Sequence, residues 1–193
     1  MIDLLKTALN DKWLVQSFSG VRAILGQGPA ISPEHEALAC AYGYCYARRI
    51  LSEGESTLLL GRDPRPTGAA LGRALARGFL AGAIDARSSI RIIDLGIITT
   101  PLAETAVRSL KSDGGVIVTA SHNPIEHNGF KFLTGVRKPS RESINSGHGL
   151  NSHSESTAPP GALLSAPAME QVIADVISLA NSADAAYMGL ISS

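Results

Sequence analysis

Gly115-Val116-Ile117-Val118-Thr119-Ala120-Ser121-His122-Asn123-Pro124, followed closely by Asn128-Gly129-Phe130-Lys131-Phe132, is the stretch on which the fold turns. Val116, Ile117 and Val118 form a β-branched run that reads as a buried strand, and a polar turn from Ser121 to Pro124 stops it. Asn128-Gly129 then reads as a tight turn, because both residue types tolerate positive φ, and a second apolar run follows. Ser121 is thereby presented on a loop at the carboxyl end of a strand, where open α/β sheets bind ligands. Lys131 follows and is expected to fold back towards it.

Working outward, strands and helices alternate. Thr57-Leu58-Leu59-Leu60 predicts a short buried strand, and Gly61-Arg62-Asp63-Pro64-Arg65-Pro66-Thr67-Gly68 a loop into a helix from Ala69 to Ala81. That helix buries Leu71, Leu75 and Phe79 and shows Arg73 and Arg77 to solvent. The loop arginines have two readings: they order the reactive loop or reach a phosphate, or Asp63 caps and pairs locally. Ile90 to Leu95 predicts the next strand, ending at Gly96, and Leu102 to Leu110 a helix capped by Thr100 with Pro101 at its first position. The alternation from about residue 57 to 133 argues for an α/β fold: a three-layer α/β/α sandwich around a mixed, mostly parallel sheet.

Upstream, Trp13 to Gly20 reads as a strand running into a glycine turn, with Arg22 two positions beyond. Gly26-Gln27-Gly28 lacks the third glycine and following helix of a dinucleotide site. Ser32 and Pro33 start a helix over Glu34–Leu51, with Leu38, Ala41, Tyr42 and Cys45 on its inner face and Gly54 closing it. His35-Glu36 lacks the second histidine of a zinc-protease motif, because Ala39 stands in its place. Downstream, residues 137–167 are rich in Ser, Gly, Asn, His and Pro and read as a loop or linker in which His148 and His153 are solvated. Met169, Val172, Ile173, Val176 and Ala180 predict a last helix, Ala168 to Asn181. The expected organisation is thus a domain over 1–136, a linker over 137–167, and a helical segment over 168–193 that begins a second domain.

Composition narrows the functions. At 45% hydrophobic the 193-residue chain can bury a core. Seventeen basic residues against 17 acidic give zero net charge, so neither nucleic acid nor a membrane is an expected partner. Local basic groups, Arg22, Arg62, Arg65, Lys131, Arg137 and Lys138, still suit phosphate. Cys40 and Cys45, spaced so as not to face each other on a helix, read as reduced core thiols, and the N-terminus has no signal-peptide pattern; a cytoplasmic location is expected. No Gly-x-Ser-x-Gly elbow and no Gly-Lys-Ser/Thr string occurs, which sets aside a serine hydrolase and a P-loop enzyme.

Four segments, in order over roughly residues 13–135, resemble the α-D-phosphohexomutases, the family of phosphoglucomutase, phosphomannomutase and phosphoglucosamine mutase. They are Ser19-Gly20-Val21-Arg22, with Ala23 where the family has glycine; Gly61-Arg62-Asp63-Pro64-Arg65-Pro66-Thr67-Gly68; the turn from Gly96 to Thr100-Pro101; and Thr119-Ala120-Ser121-His122-Asn123-Pro124 with Asn128-Gly129-Phe130-Lys131. The resemblance implies an isomerase that interconverts hexose 1-phosphate and hexose 6-phosphate through a phosphoserine and a bound bisphosphate. It implies Ser121 as the phosphorylated residue, Lys131, Arg22 and His122 as its catalytic neighbours, and Arg22, Lys131 and Asn128 as substrate contacts. It implies Mg²⁺, held from this chain through the phosphate on Ser121 alone and shared with further domains, and a hexose 1,6-bisphosphate activator. No Asp-Gly-Asp-Gly-Asp-like string supplies metal carboxylates. The expectation is a phosphoserine domain that is inactive alone, whose partners are a phosphosugar and the missing domains as a separate chain. The alternative is a noncatalytic relative that binds sugar phosphates or a protein.

Overall fold

Alternating apolar strands and alanine-rich helices stack into the three layers expected. The computed structural model describes residues 2–17, 20–51 and 55–135. The chain runs α1 (Ile2–Leu9), β1 (Val15–Ser17), β2 (Gly20–Ile24), α2 (Pro33–Ile50), β3 (Glu55–Arg62), α3 (Gly68–Ala86), β4 (Ser89–Ile97), α4 (Thr100–Ser109), β5 (Gly114–Val118) and β6 (His127–Thr134). The expected linker, the helix from Ala168 to Asn181, Gly54, His148 and His153 lie outside the described residues.

The strands form one mixed sheet in the order β1-β2-β6-β5-β3-β4. Its parallel share is smaller than expected: β3 pairs in parallel with β4 and β5, whereas β1–β2, β2–β6 and β5–β6 are antiparallel. The reason is the short connection from β5 to β6, which carries no crossover helix and so can only return the chain antiparallel.

Period-2 alternation sends Leu58, Leu60, Val116, Val118 and Phe130 to one face, where α1, α2 and α3 cover them. Leu59, Ile117 and Leu133 go to the other, against Ala103 and Val107 of α4. Every residue of α2 from Ala37 to Ala47 is buried, not one face only, because the helix is enclosed by α1, α3 and the sheet. Helices α2 and α3 cross closely: a Cβ on Gly78 would stand 2.1 Å from the Cys40 carbonyl oxygen. Tyr46 ties this layer to the sheet, donating to the Leu133 carbonyl at 2.7 Å and accepting from the Gly115 N–H at 2.8 Å.

Element ends differ from expectation in instructive places. Helix α1, unread in the sequence, buries Leu5 and Ala8. Ser32 caps α2, its hydroxyl accepting from the His35 N–H, and α2 ends at Ile50 with Leu51 as its C-cap. The N-cap of α4 is Thr99, with no side-chain cap bond, so Thr100 already lies in the helix. Arg77 is not simply solvated, because it pairs with Glu36 of α2.

The largest correction concerns Asn128-Gly129. These residues lie within β6, opposite Ala23 and Arg22, and the turn falls earlier, where the His127 N–H donates to the Pro124 carbonyl. Glycine is needed at 129 for its missing side chain: a Cβ there would lie 1.9 Å from the Val21 carbonyl oxygen. No helix among the described residues is long and apolar enough to cross a membrane.

Two outcomes follow from this packing. Gly129→Ala must push β2 from β6 and should lower stability by about 1–3 kcal/mol, read as a drop in the denaturation midpoint. Cys40 and Cys45 are free and buried, and burial pushes the Cys45 thiol up from about 9 to about 11. Iodoacetamide at pH 8 should therefore label Cys45 only after unfolding. The unfolded thiol ionises first as pH rises, so the stability Cys45 contributes should fall between roughly pH 9 and 11 in pH-dependent denaturation.

Candidate functional site

Strand β5 ends at Val118, and its carbonyl accepts from the Asp63 N–H at 2.9 Å, bringing the β3–α3 loop alongside the loop after β5. The Thr119 N–H still reaches across to the Gly129 carbonyl, after which the chain leaves the sheet. Ser121 then adopts a left-handed backbone, φ 59, and is exposed. A non-glycine residue in that conformation costs about 1–2 kcal/mol, so its surroundings must hold it there.

The holding groups are nearby. The Ser121 N–H donates to Thr119 Oγ1 at 2.9 Å, and that hydroxyl donates to Asp63 Oδ2 at 2.7 Å. Arg65 Nε donates to the same Asp63 oxygen at 3.1 Å, and the Arg65 backbone N–H to Asp63 Oδ1 at 3.0 Å. The guanidinium spans the β5–β6 loop: Nη2 donates to the Ser121 and Asn123 carbonyls at 2.9 and 2.6 Å, and Nη1 to the Pro124 and His127 carbonyls at 2.5 and 2.9 Å. Asp63 thus pairs locally, and Arg65 binds four carbonyls of the β5–β6 connection.

A crevice of about 540 Å³ opens beside Ser121, bounded by Asp63 to Arg65, Ile97 to Thr100, Ile117, Thr119, Asn123 and Ile125. It lies at the carboxyl ends of β3, β4 and β5, where their loops converge. Its lining mixes isoleucines with the hydroxyls of Thr99, Thr100, Thr119 and Ser121, a mixture that suits a small polar ligand.

The other expected site residues fall into three groups. His122 is exposed, with Nδ1 at 3.4 Å from Ser121 Oγ, at the outer limit of a hydrogen bond. Lys131 and Arg22 are half-buried on β6 and β2, outside the crevice lining. Lys131 stands opposite Ile117 and Arg22 opposite Gly129, so the two share the sheet face that carries the crevice. The Asn128 side chain, expected at the substrate, is fully buried behind the loop in this structure, Nδ2 donating to Thr67 Oγ1 at 2.8 Å and Oδ1 accepting from the Gly129 N–H, so it supports the start of α3. Thr119 was not singled out in the sequence, although it stands two residues before the serine, the spacing at which a hydroxyl caps a tight turn.

Among the described residues no three His, Cys, Asp or Glu side chains come together as metal ligands. Asp63, beside the loop, is committed to Arg65 and Thr119. The described residues thus do not furnish the several oxygen ligands that Mg²⁺ prefers.

Comparison with known proteins gives a consistent picture. A family model described as phosphoglucomutase/phosphomannomutase, alpha/beta/alpha domain I, matches residues 16–145. Phosphoglucosamine mutase of Pediococcus pentosaceus is 36% identical over 115 residues, covering 59% of this chain and 24% of that protein. That of Lactiplantibacillus plantarum is 39% identical over 120 residues, 60% and 24% of the two chains. A phosphoglucomutase/phosphomannomutase of Thermococcus kodakarensis is 37% identical over 116 residues, 59% and 23%. A crystal structure described as a candidate phosphomannomutase from Thermus thermophilus superposes with a TM-score of 0.51 at 28% identity, covering 63% of this chain and 26% of that one. The chain spans about a quarter of the length of the curated relatives it matches.

The placement of Asn128 has its own test. Asn128→Ala leaves the buried Thr67 hydroxyl without that donor and opens a small void, so stability should fall by about 1–3 kcal/mol in chemical denaturation.

Proposed function

Because this chain belongs to the phosphoglucomutase/phosphomannomutase family, through its first α/β/α domain, we propose that it supplies the phosphoserine of a hexose-phosphate mutase and that Ser121 is the residue phosphorylated. One observation carries the reading: an exposed serine hydroxyl, on a backbone locked in the left-handed region, beside a crevice where three strand ends converge.

In the reaction so read, a hydroxyl of a hexose monophosphate attacks the phosphorus on Ser121. The new O–P bond forms as the Ser121 Oγ–P bond breaks, the hydroxyl proton passes to a base, and a hexose bisphosphate results. The bisphosphate turns over and returns its other phosphoryl group to Ser121, which gives the positional isomer. A hexose 1,6-bisphosphate is accordingly the species that loads the serine. Serine oxygen is a weak nucleophile unaided and needs a base and nearby positive charge. Lys131 is proposed for both, Arg22 for offsetting charge on the transferring oxygens, and His122 for orienting the loop. No step is assigned to Mg²⁺, because the described residues do not hold it; its remaining ligands, like the groups that select the sugar, are assigned to further domains. The chain is proposed to be inactive alone for the same reason, and to work in the cytoplasm, in keeping with its two reduced thiols.

A second reading, a noncatalytic relative that binds a sugar phosphate, draws on the same absence of a metal-ligand group and on the position of Lys131 and Arg22 outside the crevice lining. Intact-mass measurement separates the two. Incubated with glucose 1,6-bisphosphate and Mg²⁺, the chain should gain one phosphoryl group, mapped to Ser121 and absent from Ser121→Ala. Stability of that variant should stay within about 0.5 kcal/mol of the parent, because an exposed loop hydroxyl adds little to a core. A chain that takes no phosphate even when the remaining domains of a mutase are supplied would sink the mutase reading in favour of the binding one.

A further inference from the structure

Ser121 is held at both of its backbone groups, and the two anchors are joined. Its N–H is bound by Thr119 Oγ1 and its carbonyl by Arg65 Nη2; Thr119 and Arg65 both bind Asp63 Oδ2. The result is a closed ring of hydrogen bonds, Ser121–Thr119–Asp63–Arg65–Ser121, around the residue whose φ is 59. Fixing the groups on either side of the Ser121 Cα fixes the direction of its Cα–Cβ bond, from which Oγ is presented.

Arg65 also has nothing left to give. A guanidinium carries five N–H donors, and here five acceptors take them: the Asp63 carboxylate and the carbonyls of Ser121, Asn123, Pro124 and His127. The Arg65 side chain is only 11% exposed, so water competes little for those bonds. An arginine that lines the crevice of a phosphoryl-transfer site invites assignment as a phosphate ligand, and the bonds it makes point elsewhere.

We propose that Arg65, with Asp63 and Thr119, is a positioning device for the serine: it acts by holding the Ser121 backbone and makes no contact with the transferring phosphate. This rests on the reading of Ser121 as the phosphoryl carrier, and it makes the shape of the fork matter more than its charge. Lysine keeps the charge but presents three donors from one point and cannot span four carbonyls and a carboxylate.

The test uses the whole chain with Arg65→Lys, Thr119→Val and Thr119→Ser, after thermal melts confirm folding. Two quantities are measured: the rate of Ser121 loading against glucose 1,6-bisphosphate concentration, and amide hydrogen exchange at Ser121. Arg65→Lys and Thr119→Val should each slow loading on the order of ten- to a hundredfold at saturation, with the half-saturating concentration unchanged. Exchange at Ser121 should quicken in both, and Thr119→Ser, which keeps the hydroxyl, should match the parent. A half-saturating concentration that rises in Arg65→Lys while exchange stays slow would make Arg65 a phosphate ligand and overturn the proposal. Unchanged loading and exchange would overturn it as well. If the parent itself takes no phosphate, exchange alone decides the clamp, separately from the mutase reading: faster in Arg65→Lys upholds it, unaltered refutes it. Should Arg65→Lys not fold, the Thr119 pair decides the question by the same two readouts.

Discussion

A strand buried on both faces must satisfy its backbone sideways, and β5 does so with β3 on one flank and β6 on the other. Its five residues are all buried, and both core clusters draw on it: Val116 and Val118 face α2 and α3, and Ile117 faces α4. The three layers meet along this strand. Its end also sets the height at which the Ser121 loop leaves the sheet, through the bonds from Val118 and Thr119 to the flanking segments.

Much of this was legible in the sequence because it is local. Short β-branched runs, alanine-rich helices and the Ser32-Pro33 start each announce themselves within a few residues, and the layered α/β class follows from their alternation. What failed depended on neighbours far along the chain. Asn128-Gly129 has the composition of a turn, yet β2 approaches so closely that only a residue without Cβ fits, and that contact outweighs turn preference. The all-round burial of α2 is set in the same way, by helices on either side that its own periodicity cannot reveal.

The candidate site divides along the same line. Ser121, His122 and the strand end before them sit in one string and were readable as a unit. Arg65 acts on carbonyls 56 to 62 positions away, and Asn128 bonds Thr67 at a separation of 61. No spacing rule connects such residues, so the distinction between a loop-ordering arginine and a phosphate-binding one, or between a buried amide and a substrate contact, required three dimensions. Lys131 and Arg22 are set on a common face by strand register, one and two strands away from the crevice wall.

The pairing of Val21 with Phe130 joins positions more than a hundred residues apart. Closing so long a loop is entropically slow, whereas α2, β3, α3 and β4 are consecutive and make their contacts early in the chain. A nascent chain can therefore assemble its helical layer and parallel strands well before β6 docks between β2 and β5. Until that late closure the β5–β6 loop has only one fixed end. The loop that carries Ser121 is thus shaped last, and its geometry becomes a property of the finished fold.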